Sequence, residues 1–212
     1  MNINRLILAS RSKWRQMLLD AAGIEFEAKG AAVDEAAIVP EDSRERARQR
    51  AIAKAHAVAA GETSAVVIGA DQVLEFNGKP YDKVRTREEA RERLMSFSGE
   101  RHELLSAFCL VATPDLGLKE PVLAVDLIEV TMRVRPLLPI EVERYLDRDE
   151  WQETVGCYQY ESAGIHLFDS VDGDSSAIIG LPLLPLFREL RRFGINPLVD
   201  SSGPWNLIWP QR

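Results

Sequence analysis

The order of apolar runs, polar turns and amphipathic helices along the chain is the feature that most constrains its fold. An apolar run at residues 6–9 predicts a short buried strand, which passes through the polar turn 10–12 into a helix at 13–22. A second helix is predicted at 42–60, and a second apolar strand at 65–69. Strands that lead directly into turns and helices indicate an α/β fold.

The two strands direct attention to the polar residues that follow them. Ligands of open α/β sheets bind at the carboxyl ends of strands, so the segments 10–15 and 70–72 are the first candidates for a site. Further along, Thr86 and Glu89 have the spacing of a capping box and predict another helix. The remaining predicted elements are strands at 104–113, 122–134 and 165–168, and helices at 139–145 and 183–193.

Composition excludes several classes of protein. The 212 residues suit one large domain or two small lobes, and the net charge of −7 argues against a protein that binds nucleic acid polymers. Cys109 and Cys157 do not form a disulfide framework. The apolar stretch 178–187 is broken by prolines, and no signal peptide precedes residue 10, so a cytoplasmic protein without membrane association is expected.

Five short features could carry chemistry, and each also has an ordinary structural interpretation. The segment 10–15 could bind an anion at a helix N-terminus, or could be a capped surface helix with solvated basic residues. Asp71 could be a metal ligand or general base, or could cap the turn after its strand. Lys54 could snorkel from the edge of an apolar stripe, Lys83 could be a solvated loop residue, and the pair at 34–35 could serve a turn.

Several well-known site motifs are not found in the sequence. It contains neither a G-x-x-x-x-G-K-[ST] loop nor a G-x-G-x-x-G or G-x-S-x-G motif, so P-loop, dinucleotide-binding and serine-hydrolase functions are not supported. The three histidines are scattered, which argues against a histidine-rich metal site.

Taken together and in order, the short features resemble the Maf-type nucleotide pyrophosphatases over about residues 5–195. The resemblance begins at the turn and basic residues of 6–15 and includes the acidic pair at 34–35, the helical Lys54 and the strand 68–71 ending in Asp71. Lys83 falls on the second lysine of the family. The segments 98–102, 156–158 and 180–183 complete the match, although Ser106 stands where threonine is usual.

The resemblance implies a single domain over 1–212 with a tail at 196–212. It implies an elongated α/β fold in which a mixed central sheet is flanked by helices and two lobes enclose a cleft. It further implies cleavage of a nucleoside triphosphate to a monophosphate and diphosphate, with Mg²⁺ or Mn²⁺ as cofactor. The implied site residues are Asp71 for catalysis, Asp71 and Glu35 for the metal, and Ser10, Arg15, Lys54 and Lys83 for the phosphates.

Departures from the commonest family pattern suggest a substrate. Trp14, Gln72 and Glu161 resemble the branch associated with 7-methyl-GTP rather than the branch associated with dTTP and UTP, and Thr154 replaces a lysine found in many members. A glutamate can accept hydrogen bonds from the N1–H and exocyclic amine of guanine, and a tryptophan can stack on a cationic base. Trp14, Gln72 and Glu161 are therefore the candidates for base recognition.

Three alternatives remain open at this point. The same pocket could belong to a nucleotide-binding regulator of cell division and septum formation with little turnover. The chain could instead be a pyrophosphatase for deaminated purines on a related fold, although 10–15 and 180–183 argue against this. A structural or interaction protein is the third alternative, because Trp205 and Trp209 in the tail could pack on the body or support a homodimer contact.

Overall fold

The computed structural model describes residues 2–3, 5–198 and 205–206, and the helices and strands within them form a mixed α/β architecture. The strands are β1 (Asn2–Ile3), β2 (Arg5–Leu8), β3 (Glu27–Ala28), β4 (Ala65–Phe76), β5 (Lys79–Tyr81), β6 (Arg101–Ala112), β7 (Val122–Val134), β8 (Phe168–Asp172) and β9 (Trp205–Asn206). The α-helices are α1 (Lys13–Ala21), α2 (Ser43–Ala59), α3 (Arg87–Ser96), α4 (Pro139–Leu146), α5 (Ser175–Ile179) and α6 (Leu183–Arg192).

Seven strands form the main sheet in the order β3-β2-β4-β6-β7-β8, with β5 attached to β4. The strand β2 is parallel to both β3 and β4, whereas the β4–β6, β6–β7 and β7–β8 pairs are antiparallel. The mixed central sheet flanked by helices that the family resemblance implied is therefore confirmed.

Helices cover both faces of the sheet at one end of the molecule. The long strand β4 is buried on both faces, and its side chains alternate between two apolar clusters. Val66, Ile68 and Ala70 belong to the cluster that also contains residues of α1 and α6, while Val67 lies in the cluster that contains the alanines of α2. This first lobe therefore has a three-layer packing.

A second lobe has its own core. Leu74 and Phe76 at the end of β4 pack there with Leu94 of α3, Val142 of α4 and Met132 of β7. The strands β4, β6 and β7 pass from one lobe into the other, so the sheet itself connects the two cores.

The capping residues of the helices follow the sequence closely. The Thr86 side chain accepts a hydrogen bond from the Glu89 N–H, and Glu89 reaches back to the backbone of Thr86, so the capping box is confirmed. Asp42 caps α2 by accepting from the backbone N–H groups of Arg44 and Glu45. The Asp42 cap fixes the start of α2, a helix that borders the cleft described below.

Two predicted elements are wrong. The strand predicted at 65–69 does not end at Asp71 but continues to Phe76, because β6 pairs with it along its whole length. Residues 165–168 were predicted as a strand, but Ala163–Leu167 form a 3₁₀-helix and β8 begins only at Phe168. A short apolar run of this kind does not distinguish a strand from one helical turn.

Some sequence expectations concern parts of the chain of which less can be said. Trp209 lies outside the described residues, and Trp205 is described only as a backbone partner of Ile3 in the two-stranded β1–β9 sheet. Cys109 and Cys157 are both free thiols in the interior. Within the described part of the chain, every helix is too short or too polar to cross a bilayer.

Candidate active site

A notch in one edge of β4 creates the site. On this edge, β2 pairs with β4 as far as Ile68, and β5 pairs with it again only from Leu74. Among the described residues, no strand covers the edge of 69–73 between them. The chain leaves β2 at Leu8 and enters α1, which opens a cleft of about 1130 Å³ in front of the notch. Asp71 and Gln72 lie in this notch.

The alternation of the strand sends these two side chains to opposite faces. Asp71 shares the parity of Val67 and therefore faces α2, whereas Gln72 faces α1 and α5. Asp71 consequently lies beyond the end of parallel pairing but in the middle of a continuous strand. The interpretation of Asp71 as the cap of a turn is wrong for this reason.

A buried ion pair forms where α2 meets the notch. The Lys54 Nζ donates to Asp71 Oδ1 at 2.6 Å and lies 2.9 Å from Glu35 Oε1. Lys54 is only 9% exposed and Asp71 only 4%, so the snorkelling interpretation of Lys54 is wrong. The ammonium is held between two carboxylates that come from distant parts of the sequence.

One oxygen of the Asp71 carboxylate accepts no hydrogen bond from the protein. Its Oδ2 is buried and is one of the few side-chain atoms among the described residues with no hydrogen-bond partner. Burial raises the pKa of Asp71, and the nearby Lys54 and Arg15 only partly oppose this effect. A buried carboxylate oxygen without a partner is an unusual cost, and such groups are common where a ligand completes the site.

Glu35 comes from the short 3₁₀-helix Glu35–Ala37, which is capped by Asp34. Asp34 accepts from the Ala36 N–H at 3.1 Å, so turn chemistry is the correct interpretation for this member of the acidic pair. Burial raises the pKa of Glu35, but the positive charges of Lys54, Arg50 and Arg15 outweigh it and leave that pKa below its ordinary value. Glu35 is therefore held ionised at the rim of the cleft.

The N-terminus of α1 forms the next part of the wall. Ser12 caps the helix by accepting from the Arg15 N–H at 3.4 Å, and Ser10 Oγ accepts from the Ser12 N–H at 3.1 Å. The Arg15 guanidinium reaches Ser10 Oγ at 3.4 Å and donates from Nε to the carbonyl of Gly180 at 2.8 Å. Burial lowers the pKa of Arg15, although Asp71 and Glu35 counteract it.

Gln72 is fixed by α5 and by β6. Its Nε2 donates to the carbonyls of Ala177 and Ile178 at 2.8 and 3.0 Å and to Ser106 Oγ at 2.9 Å. Ser106 in turn donates to the carbonyl of Ala177 at 2.6 Å. Since the amide nitrogen is fully engaged, Oε1 is the polar atom of Gln72 that is left for the cleft.

The opposite wall belongs to the second lobe and carries Lys83, Thr154 and Glu161. Desolvation in the cleft lowers the pKa of Lys83, and the positive charge of Arg15 lowers it further. Behind this wall, the Tyr158 hydroxyl lies 2.7 Å from His102 Nε2. The Tyr158 ring occupies the space that a Cβ at position 156 would need, so only glycine fits there.

All the site residues expected from the sequence line this one cleft. They are Ser10, Trp14, Arg15, Glu35, Lys54, Asp71, Gln72, Lys83 and Glu161. Trp14 already has a cationic neighbour, since Lys13 Nζ lies 4.6 Å from the centre of its ring. Glu161 is exposed on the cleft wall.

Among the buried charged residues described in the cleft lining, Arg50 is the one that sequence reasoning missed. Arg50 also lines the cleft and is buried, and it lies one helical turn before Lys54 on α2. The i, i+4 spacing that places both residues on one helix face was visible in the sequence and would have found it.

Comparison with known proteins shows the family of the chain. Residues 5–193 match the family described as Maf-like protein. The chain belongs to the Maf family. The resemblance inferred from the short motifs is therefore confirmed.

Curated Maf relatives carry two kinds of name. A Bartonella henselae protein named 7-methyl-GTP pyrophosphatase is 41% identical over 196 residues, which cover 90% of this chain and 96% of the relative. A Rhizobium meliloti protein with the same name is 39% identical, with coverage of 89% and 96%. A Rhodopseudomonas palustris (strain BisB18) protein named nucleoside triphosphate pyrophosphatase is 40% identical, with coverage of 88% and 93%.

Proposed function

We propose that the protein hydrolyses nucleoside triphosphates to a nucleoside monophosphate and diphosphate, and so removes unwanted nucleotides from the cellular pool. The names of its relatives support this reaction, since both kinds of name describe a pyrophosphatase. The observation that carries the proposal is the buried Asp71 carboxylate with its unpartnered Oδ2, placed among cations in a cleft large enough for a nucleotide.

The reaction requires a water molecule to attack phosphorus and the P–O–P linkage between the α- and β-phosphates to break. We assign Asp71 to accept the proton of the attacking water, because a carboxylate with a raised pKa is a better base than an ordinary aspartate. The diphosphate leaves with the negative charge of the broken bond. Arg15, Lys54 and Lys83 are assigned to stabilise that charge, with the Ser10 hydroxyl as a further phosphate contact.

The two acidic residues fit a divalent cation. Mg²⁺ binds through one or two carboxylates and completes its coordination with substrate phosphates and water. The described residues contain no cluster of three His, Cys, Asp or Glu side chains that could hold a metal ion by itself. A cation held by Asp71 and Glu35 would therefore need substrate phosphates and water as its remaining ligands. Asp71 Oδ2 has no hydrogen-bond partner in the protein, and we assign this oxygen to the cation. When bound, Mg²⁺ or Mn²⁺ would neutralise phosphate charge.

Base recognition is assigned to Trp14, Gln72 and Glu161. Gln72 Oε1 and the Glu161 carboxylate are both acceptors, which suits the N1–H and exocyclic amine of a guanine. The Lys13 ammonium lies over the Trp14 ring in a cation–π contact. A cationic methylated base would make the same type of contact with this ring. These features support 7-methyl-GTP as the preferred substrate.

A nucleotide panel tests both levels of the proposal. The purified protein is incubated with 7-methyl-GTP, GTP, dTTP, UTP, CTP and ITP, with Mg²⁺, with Mn²⁺ and without metal, and diphosphate and monophosphate are measured. Release of diphosphate that depends on metal is expected, fastest with 7-methyl-GTP. Faster turnover of dTTP or UTP would contradict the substrate, and binding of nucleotides without any release would favour the regulator of cell division.

The wider context of the protein stays a prediction. We propose a single domain over 1–212 with the tail 196–212, a cytoplasmic location and no nucleic acid polymer as partner. A homodimer is the alternative to packing of the tail tryptophans on the body, and size-exclusion chromatography with light scattering tests it. These proposals do not affect the chemistry assigned to the cleft.

A further inference from the structure

Arg50 is a buried cation for which the protein provides weak partners. Only 7% of the residue is exposed. Its Nε donates to the carbonyl of Ile38 at the long distance of 3.3 Å, and its Nη1 lies 3.8 Å from Asp82 Oδ1, beyond hydrogen-bond reach. A guanidinium has five N–H donors, and within the described residues only the Nε of Arg50 donates a hydrogen bond, so its Nη groups are open to a ligand.

The position of Arg50 indicates which kind of ligand its N–H donors would bind. Arg50 and Lys54 lie one turn apart on α2, and both line the cleft. Asp82 is exposed on the opposite wall and immediately precedes Lys83. Arg50 therefore stands between two walls of the cleft, with its charge directed at a space that an anion can enter.

Arg50 differs from Lys54 in its contacts with carboxylates. The Lys54 ammonium lies 2.6 Å from Asp71 Oδ1 and 2.9 Å from Glu35 Oε1. Among the described residues, Arg50 makes no hydrogen bond to a carboxylate, and its ion-pair contact with Asp82 is 3.8 Å long, so its charge is more available to an anion than that of Lys54.

Arg50 also lies away from Trp14 and Gln72, two of the residues assigned to the base. Gln72 is held by carbonyls of α5 on the face of β4 opposite α2, and Trp14 lies on α1, so these two residues mark the nucleoside side of the cleft. The contacts of Arg50 are with Ile38 and Asp82 instead, beside the loop that carries Lys83. A nucleotide that extends from one side to the other brings its terminal phosphates to Arg50.

We infer that Arg50 binds the diphosphate part of the substrate, as a fourth cation beside Arg15, Lys54 and Lys83. A guanidinium suits this role because its planar fork can hold two phosphate oxygens at once. The inference rests on the proposed pyrophosphatase function and adds to it a residue that grips the leaving group.

The test compares four variants by two measurements. Arg50→Gln removes the charge, Arg50→Lys keeps the charge but not the fork, and Asp82→Asn removes the facing carboxylate. Arg48→Gln is the matched control, since it removes the same charge from the same helix outside the cleft lining. Binding of inorganic pyrophosphate is measured by calorimetry, and inhibition of turnover by pyrophosphate and by the nucleoside monophosphate is measured separately.

Loss of a charge-assisted contact should weaken pyrophosphate binding by Arg50→Gln about tenfold or more, and by Arg50→Lys to a smaller extent. Inhibition by the monophosphate and the behaviour of Arg48→Gln should stay as in the wild type. Asp82→Asn should bind pyrophosphate at least as tightly as the wild type, because a competing anion is gone. The backbone of Asp82 is held separately by Arg93, so this change leaves the loop anchored.

Either of two results with the variants would overturn the inference. The first is unchanged pyrophosphate binding in Arg50→Gln. The second is an equal loss of binding in Arg50→Gln and Asp82→Asn, because Arg50 would then act by holding the loop that carries Lys83. Circular dichroism establishes that each variant is folded, and Arg50→Lys serves if Arg50→Gln is not. Calorimetry measures pyrophosphate binding without turnover. A wild-type protein that binds pyrophosphate but is inactive would contradict only the proposed reaction. A wild-type protein that does not bind pyrophosphate would contradict this inference.

Discussion

At the scale of single residues, the Lys54–Asp71 pair is the centre of the site and also its main energetic problem. Both side chains are buried, and desolvating two charges costs more free energy than an exposed pair recovers. The geometry offsets this cost through a 2.6 Å hydrogen bond and a second carboxylate, Glu35, at 2.9 Å. Such an arrangement is better explained by the chemistry of the cleft than by stability.

Asp71→Asn should lower kcat by about two to four orders of magnitude, because the assigned base is lost while the shape of the side chain is kept. The rate of diphosphate release under saturating nucleotide measures this. Asp126→Asn is the control, since Asp126 pairs with Arg188 outside the cleft lining. A folded Asp71→Asn protein with the wild-type rate would show that another group activates the water.

Lys54→Met should lower the free energy of unfolding by about 3–5 kcal/mol at neutral pH, because it leaves Asp71 buried without its partner. Without Lys54, the pKa of Asp71 in the folded protein rises further above its value in the unfolded chain. The variant is therefore most destabilised at high pH, where Asp71 must be ionised in the folded protein, and this loss disappears as pH falls and the carboxyl group is protonated. The difference from the wild type should therefore shrink towards pH 5. Urea unfolding at several pH values measures it.

The double variant Lys54→Met/Asp71→Asn provides the control for this prediction. It should recover most of the loss, because no unpaired carboxylate remains at position 71. A loss in the double variant equal to that in Lys54→Met alone would mean that packing of the lysine stem, rather than its charge, is what α2 requires.

Sequence alone predicted which residues line the cleft, but only through the family resemblance. Taken individually, Lys54 was better explained by snorkelling, since its neighbours on α2 are apolar and its partners are 17 and 19 positions away. Long-range partners of this kind are not visible in local spacing. Arg50 shows the reverse case, because its spacing from Lys54 was visible and its burial was not.

At the scale of elements, the packing of α2 on β4 sets the distance between Lys54 and Asp71. Gly69 makes this packing possible, since a Cβ there would lie 2.0 Å from the carbonyl oxygen of Ala51 and 2.8 Å from the Cβ of Ala55. The helix thus rests on bare backbone at a point two residues before Asp71. Any side chain at position 69 would move α2 away from the strand.

Gly69→Ala should destabilise the protein by about 1–3 kcal/mol through overpacking and should also reduce activity, because Lys54 moves with its helix. Chemical denaturation and diphosphate release measure the two effects. Gly61→Ala is the matched control, since a Cβ at 61 meets only a backbone oxygen at 4.0 Å. Equal stability of the two variants would indicate that α2 is free to shift.

The extent of β4 could not be read from its own residues. The apolar run stops at Asp71 and Gln72, which in a typical sheet would mark the end of a strand. Here β6 continues to pair through both residues, and the two polar side chains are accommodated by the notch on the other edge. The capping box at Thr86 was predictable because every residue that makes it lies within four positions.

At the scale of the whole molecule, the antiparallel strands that join the two lobes also hold the buried His102. Its ring stacks on Phe97 with centres 4.5 Å apart, and it shares a hydrogen bond with Tyr158 behind the cleft wall. Burial lowers the pKa of His102 to about 3, so the ring stays neutral in the folded protein. Because the unfolded chain takes up a proton at His102 more readily than the folded protein does, a fall in pH lowers the free energy of unfolding.

The free energy of unfolding should fall by about 2 kcal/mol between pH 7.5 and pH 5 through His102 alone. The sign follows from its folded pKa of about 3 against the ordinary value of 6.5, since the unfolded state takes up the proton first as pH falls through 6.5. His102→Gln should flatten this part of the stability profile, measured by urea unfolding. His166→Gln, at an exposed position, should keep the slope.

The overall architecture was only partly predictable. The α/β class and most helices followed from hydrophobic periodicity and caps, but the strand order β3-β2-β4-β6-β7-β8 depends on pairings between residues as far apart in sequence as Arg5 and Ala65. The split into two lobes arises because the same strands enter two cores. Neither property has a local signature.

The engaged amide of Gln72 has a consequence for what the protein can distinguish. An amide that is free to turn over reads hydrogen-bond donors and acceptors alike, and therefore carries little information about the molecule in front of it. Anchoring of the nitrogen by Ala177, Ile178 and Ser106 removes that ambiguity and leaves a group of fixed polarity. Two carbonyls and one hydroxyl, none of which needs to touch a ligand, thus fix the polarity of a side chain that we propose to face the edge of a base.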